Sequence, residues 1–537
     1  MRLLAHLNSW LGTVCRHLRI NVAVTLVFLL LLAGTVVLQY IGGAYESEFG
    51  SDADEPAHYV TGLMVRDYIA QGGSTDPLTY AQEYYRHYPK VALGHWPPLF
   101  YVVQSMWTLL FSPSRTSILL LMAVMTALLA TVLAVALQAE FSLSTGVTAG
   151  LLLISLPLIQ QLARAVMAEI LVALLALLAT LSFGKYLDTP ERSHALRFGV
   201  WSALCILTKG TGFVLALVPL FGILLTRRWC LLKTWIFWLP LLIVLLFCCP
   251  WYALVPGAAN ERVARFGGIY LSVSDLLSTP AHWLHAVGPA LLPLSILGIM
   301  SRADRVVFRK DRQGQWVAAA SFLAALATFQ CLIAAARVSR AMTLAEPALM
   351  MFVVAGASCV LSSPWLRVRA TTRVLAPAIA AFILFSVHVA ITPRKPRFGY
   401  VDLVHELLSY PTLRNSVFMI SSDASGEGMF IAEIAMHERR PGHIVLRATK
   451  ALAITDWMGS SYRLRYKSPD EVMRFFYEAS VRVLVVDISA ARSFDHNRLV
   501  IQTLESYRDR WKPLFPRPHN AAGGQSSQAF LVYQLQR

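Results

Sequence analysis

Asp52, Asp54, Glu55 and His58 crowd into the stretch FGSDADEPAHY, just after the apolar run Asn21–Ile41. A loop that only reversed the chain would need a few polar residues. This one opens on carboxylates and continues to residue 115. Acids at an apolar surface are partly desolvated, which tunes their proton affinity, and one of a pair can serve as a general base while its neighbour helps to hold a cation. Adjacent helical positions point in different directions, so Asp54 and Glu55 would have separate roles. The same spacing also reads as a helix start, with Asp54 as cap, Pro56 in the first turn and acids favoured there.

Further along stand Lys90, His95 and Trp96 in HYPKVALGHWPPLFY. The double proline fixes an extended entry into the next helix. His95 faces the acids as a ligand or phosphate contact in one reading; in the other, the segment is punctuation with aromatic interface anchors. Arg164 and Glu169 follow in ARAVMAEI, at the start of an apolar run. An acid that close to hydrocarbon is costly, and is either a site or half of an interfacial ion pair. Lys209 in TKGTGF, and Arg337 with Arg340 in RVSRAM, complete the set. Each is either a snorkelling headgroup anchor or a contact for an anionic lipid phosphate.

The elements that must position these residues are mostly membrane spans. The chain has 537 residues, of which 56% are hydrophobic and 15% charged. No soluble domain hides that much apolar surface, so the class is a polytopic α-helical membrane protein. Apolar runs lie near residues 21–41, 116–138, 144–162, 167–187, 195–208, 211–226, 232–250, 283–300, 316–336, 342–361 and 372–392. These predict about 11 spans. A further run, Pro97–Phe111, is too short to cross a hydrocarbon core of about 30 Å at about 1.5 Å per residue. If it does not cross, the basic loops Lys185–Arg197, Arg227–Lys233, Arg302–Arg312 and Arg367–Arg373 all fall on the side of Arg2, Arg16 and Arg19. The positive-inside rule then predicts a cytoplasmic N-terminus, an external loop 42–115 and an external C-terminus.

After Pro393 the composition becomes that of a soluble domain. SVFMISS (416–422), HIVLRA (443–448) and VRVLVVDI (481–488) read as buried strands, with amphipathic runs at 427–438 and 469–480 between them. Ser468, Pro469, Asp470 and Glu471 make a good helix start. The expectation is a membrane module over 1–394 and an external α/β domain over 395–537 with a mostly parallel sheet. AAGGQSSQ (521–528) reads as a flexible loop.

The formal net charge of +16 comes from basic clusters between apolar runs, so it marks orientation and not a nucleic-acid groove. All seven cysteines lie in or beside apolar runs, none after Cys359, which argues against a disulfide framework or a cysteine zinc site. No HExxH, GxSxG, Walker or CxxC motif is present. The competing classes are a transporter or flippase of lipid-linked or anionic solutes, and a membrane-anchored sensor or assembly protein. The first would need ionisable span centres and broken helices in paired halves; the second would not need so many spans.

In their order and topology these residues resemble the polyprenyl-phosphate-dependent glycosyltransferases of the GT-C fold, in particular the protein mannosyltransferase and lipid A aminoarabinose transferase group. That family has an Asp-Glu pair in its first external loop, matched by Asp54–Glu55. It has a Pro-Pro-Leu element after a His or Lys, matched by HWPPLF with Trp96 intervening, and an Arg followed by an acid five residues on, matched by Arg164 and Glu169, where many relatives have Asp. The segments LTKG and CCPWY also look like the family's. The resemblance covers roughly residues 20–395. It implies inverting transfer of a sugar from a polyprenyl-phosphate donor to a lipid, glycan or protein acceptor, in the bacterial inner membrane. Asp54 would be the base. Glu55, Glu169 and His95 would position substrates or a divalent metal cation, while His58, Lys90 and Arg164 would contact substrate. Lys209, Arg337 and Arg340 would neutralise the departing phosphate.

Overall fold

The computed structural model describes residues 2–92, 94–255, 273–304, 313–333, 339–363, 370–455, 462–491, 494–515, 519–520 and 529–536. Arg337, the loop 521–528, and much of the basic loops 302–312 and 367–373 lie outside these residues.

Among the described residues, seven helices are long and apolar enough to cross a membrane: Val22–Ile41, Arg115–Gln138, Glu169–Asp188, Trp235–Leu254, Ala281–Ala303, Gly314–Leu332 and Arg340–Ser362. Each of the eleven expected runs is mainly helical over its described residues, but four fall short of a straight span. The run at 144–162 is two helices, Leu143–Ser155 and Pro157–Ala163, bent by 70°. Its cause is local, because Leu156 precedes a proline and is driven to an extended conformation (φ −55°, ψ 134°). Arg192–Thr208 has 17 residues. Gly210–Ala216 is a 3₁₀ turn that continues into Val218–Thr226. The last run lies in the 22-residue helix Ala370–Ile391, whose described apolar part is Leu375–Ile391. By length and composition, the described residues hold seven candidate spans, or eight with the bent pair, against the eleven runs of the sequence. Pro97–Phe111 becomes the 12-residue helix Leu99–Leu110, about 18 Å long.

Between helices the packing relies on small residues, as expected where lipid removes the hydrophobic drive. Helix Val273–Asp304 runs against Ala345–Ser362 through Gly298 and Gly356. A Cβ on Gly298 would stand 1.9 Å from the Phe352 carbonyl oxygen, and one on Gly356 2.0 Å from that of Leu294. Trp235–Leu254, by contrast, buries only Ile243 and Cys248 and offers its other faces outward.

The sheet lies wholly after residue 416. Strands β1 (Val417–Ser421), β2 (Ile444–Arg447) and β5 (Val481–Asp487) fall where the apolar runs predicted them. A small pair, β3 (Ala453–Ile454) and β4 (Arg463–Leu464), stands apart. Like that pair, three strands of the main sheet were not foreseen: β6 (Trp511–Pro513), β7 (His519–Asn520) and β8 (Ala529–Leu535). The main order is β2-β1-β5-β8-β6, with β7 also on β8. β1 pairs in parallel with β2 and β5, whereas β8 is antiparallel to β5, β6 and β7. The sheet is therefore mixed, not mostly parallel. Antiparallel neighbours such as β6 and β8 do not need the crossover connection that parallel neighbours require. Ser468 does cap the helix Pro469–Glu478, accepting from the Glu471 N–H at 3.3 Å.

One continuous apolar cluster joins the two ends of the chain. It runs from the helix bundle through Phe49, Tyr59 and Tyr88 into Tyr400, Phe418, Met429 and Phe430. Helix Glu55–Ala70 packs directly on helix Ala424–His437.

Candidate active site

The backbone after the first span folds tightly enough to aim its acids. Asp52 Oδ1 accepts the Asp54 N–H at 2.9 Å, and the Asp52 carbonyl accepts the Glu55 N–H at 3.0 Å. Helix Glu55–Ala70 starts there with Pro56 in its first turn, but the Asp54 side chain makes no capping bond. It goes instead to Arg340, whose Nη2 donates to Asp54 Oδ2 at 2.6 Å. That separates the two readings of Asp54: the residue stands at the cap position, and its carboxylate is committed elsewhere.

Arg340 is the hub. Its Nε lies 3.3 Å from Glu169 Oε1, and its Nη1 stands 2.9 Å from Asp52 Oδ2, an ion-pair contact without hydrogen-bond alignment. Lys209 Nζ completes the group with a 2.6 Å bond to the same Glu169 oxygen. The short 3₁₀ segment Ser339–Leu344 delivers Arg340, and the first residue of helix Glu169–Asp188 delivers Glu169. Residues 54, 169, 209 and 340 are thus one charge cluster at the ends of four elements. Burial pushes the Asp54 carboxyl up, but the Arg340 guanidinium, with Lys209 adding, holds it on balance below the usual aspartate range. It is a carboxylate at neutral pH.

Glu55 belongs to a different arrangement. Its Oε1 is 2.7 Å from Lys395 Nζ and accepts the Val166 N–H at 3.2 Å, while Oε2 accepts the Ser51 N–H at 2.7 Å. Lys395 also donates to the Arg164 carbonyl at 3.1 Å. Arg164 in turn donates to the Pro393 carbonyl (3.0 Å) and Gln160 Oε1 (2.6 Å). Both side chains are buried, and both are spent on stitching the loop at 164–166 and the chain at 393–395 to the first loop. Within the Asp54–Glu55 pair the contrast is plain: the Glu55 side chain is fully buried, whereas that of Asp54 remains 17% exposed. Lys395 was not foreseen. Its signal was a lysine just beyond a span on the side where basic residues are scarce.

His58 sits beside the charge cluster as a neutral ring. Its Nδ1 meets the Tyr101 hydroxyl at 3.0 Å, and the imidazole lies against Trp96 with ring centres 4.2 Å apart. Burial, then the Lys209 charge, takes its pKa down to about 3, against the opposing pull of Glu169 and Asp54. Nε2 is buried with no hydrogen-bond partner among the described residues. His95 packs edge-on to Trp96 at 4.7 Å, and so supports the wall that His58 leans on. Lys90 is buried with Nζ donating to the Ala424 carbonyl at 3.2 Å.

The trio Glu55, His95 and Glu169 does not form a cation site. Among the described residues no group of three His, Cys, Asp or Glu side chains converges on one point. Glu55 is neutralised by Lys395, and Glu169 by Lys209 and Arg340, so protein cations already occupy the places a metal would take. No chemical step is assigned to a metal here.

Residues 95–253 match the family model of dolichyl-phosphate-mannose-protein mannosyltransferases. No curated protein sequence matches the chain. Among solved structures, ArnT from Cupriavidus metallidurans in the apo state superposes with a TM-score of 0.58 at 14% identity, covering 94% of this chain and 97% of that one. The same protein bound to undecaprenyl phosphate gives 0.55. The fold is of the GT-C type. The Archaeoglobus fulgidus oligosaccharyltransferase, in a complex with Zn and sulfate, shares it at TM-score 0.55 and 13% identity, covering 94% of this chain and 73% of that one. The match to the mannosyltransferase model contains His95, Arg164, Glu169 and Lys209, but not Asp54 or Arg340. Those two come to the site from outside the matched segment, through the fold.

Proposed function

We propose that the protein is an inverting glycosyltransferase of the inner membrane, moving a hexosyl or pentosyl group from a polyprenyl-phosphate donor to an acceptor of the cell envelope. The observation that carries this reading is the carboxylate of Asp54. It is ionised, partly open and set against Arg340, with Lys209 one residue further on across Glu169. The solved relatives support the donor class, since one is bound to undecaprenyl phosphate and an archaeal oligosaccharyltransferase to a dolichol-phosphate and an inhibitory peptide. In this reading the N-terminus is cytoplasmic, loop 42–115 and the α/β part from residue 395 are external, and the boundary between the two modules falls at 394.

The step balances without further reactants. Asp54 takes the proton of the acceptor hydroxyl as its oxygen bonds to the anomeric carbon. The bond from that carbon to the phosphate oxygen breaks on the opposite face, and its electron pair leaves with the lipid phosphate. Arg340 and Lys209 in the cluster, with Lys90 feeling the Asp54 charge from the neighbouring loop, are the cations that offset the new phosphate charge. His58 stays neutral and offers Nε2 to a substrate hydroxyl.

Asp54→Asn keeps shape and removes the base. It should lower transfer at least ~100-fold while leaving membrane insertion and undecaprenyl-phosphate binding near wild type. Purified Asp54→Asn protein turning over at the wild-type rate would remove Asp54 from the mechanism.

A further inference from the structure

Lys90 belongs to the loop between residues 88 and 98, yet the α/β part of the chain holds it. Its Nζ donates to the carbonyl of Ala424, the first residue of helix Ala424–His437. The backbone just before it is gripped from the same side, by Arg447 Nη1 donating to the Pro89 carbonyl at 3.3 Å. Arg447 is itself fixed through Nε, 2.8 Å from Glu427 Oε2. Glu427 also accepts the Thr449 N–H at 2.8 Å and the Thr449 hydroxyl, which anchors the helix's first turn to the end of strand β2. The last contact is steric. A Cβ on Gly428 would stand 2.7 Å from Pro56 Cγ and 2.9 Å from Lys90 Cε. Glycine therefore lets this helix touch Lys90 and the residue two after Asp54 at once.

We propose that helix Ala424–His437, through Gly428 and the Glu427–Arg447 pair, is the positioning element for Lys90, which it holds toward Asp54 as a cation for the lipid phosphate. What Lys90 binds rests on the transferase reading; how Lys90 is held does not. The α/β domain then acts as part of the site, not as an appendage.

The charges facing Lys90 make the arrangement readable. Burial first, then Arg447, with Lys450 adding, lower its pKa to about 7, against Glu427 and Asp54, which raise it. Below that value Lys90 is an ammonium ion able to hold phosphate; above it the amine is neutral. Lipid-phosphate affinity should therefore fall as pH rises through about 7. Disturbing the helix returns Lys90 toward ordinary lysine behaviour and moves that fall to higher pH.

The test uses the full chain in detergent and two readouts. Acetylation of Lys90, followed by mass spectrometry across pH, reports its midpoint without reference to any activity. Binding of undecaprenyl phosphate reports the site. Gly428→Ala and Arg447→Gln should each raise the Lys90 midpoint by about one pH unit or more, and Gly428→Ala should weaken lipid-phosphate binding at pH 6 roughly 10-fold. Arg447→Lys, which keeps the charge, should hold the midpoint near wild type. A midpoint unmoved in Arg447→Gln, or in folded Gly428→Ala, overturns the positioning role. Wild-type protein that binds no polyprenyl phosphate at any pH would instead remove the donor reading, while the acetylation midpoints still decide how Lys90 is held.

Discussion

At the scale of single residues, the site is defined by which carboxylates have been given a cation and which have been left room. Asp54 and Glu55 are adjacent in sequence and looked like partners, yet Glu55 ends in a fully buried pair with Lys395, 340 residues away. Nothing in the local spacing could have told them apart, because what separates them is a contact made by the far end of the chain. Lys209 poses the opposite problem. The sequence marks it as a basic residue against the orientation bias, and the structure places it on Glu169. A lysine there can neutralise a buried acid or also serve the leaving phosphate, and the two roles predict different rescue. Lys209→Met alone leaves Glu169 with one cation fewer and should cost at least ~10-fold in transfer, about 1.4 kcal/mol. Lys209→Met with Glu169→Gln removes the uncompensated charge and should restore thermal stability. If Lys209 faces phosphate, that double variant still transfers slowly. Full recovery of turnover would reduce Lys209 to a counter-ion.

At the scale of elements, hydrophobic length was the legible signal and straightness was not. Every expected apolar run is helical, because about twenty apolar residues in lipid can satisfy their backbone only that way. The bend at Leu156 was also written in the sequence, as the proline after it, but the run 144–162 was read as unbroken. In the α/β part, β1, β2 and β5 were legible as buried apolar runs. β8 was not read as a strand, although AFLVYQL is itself an apolar run of strand length directly after the loop 521–528. The short helix Leu99–Leu110 bears on orientation. Ser114 caps the next helix, Arg115–Gln138, at one end, and Gln138 stands at the other. Single cysteines at these positions in a cysteine-free background should react with an impermeant reagent from outside at 114 and only from the cytoplasm at 138. Labelling of position 114 from the cytoplasm would invert the orientation proposed for the whole chain.

At the scale of the whole molecule, the two ends of the chain are locked by buried ion pairs that sequence reading had no means of matching. Asp67, on the helix that begins after Asp54, is gripped by Arg440 through Nε at 2.6 Å and Nη2 at 3.3 Å, with Arg66 and the Tyr84 hydroxyl on the same carboxylate. Tyr88 donates to Glu438 at 2.5 Å, and Arg115 pairs with Glu433. These joints surround the contact of helix Ala424–His437 with Lys90, so their strength bears on the geometry of the site as well as on folding. Breaking one such pair strands a buried charge, whereas replacing both partners by apolar groups costs little. Arg440→Ala should therefore destabilise by about 3 kcal/mol, seen as a lower unfolding temperature in detergent, with Arg66 and Tyr84 limiting the damage. Arg440→Leu combined with Asp67→Leu should recover most of that loss. Transfer should follow the joint and not the charge: reduced in Arg440→Ala, largely restored in the double variant. An Arg440→Ala protein with wild-type unfolding temperature and turnover would mean that the α/β domain does not hold the first loop in place through this pair.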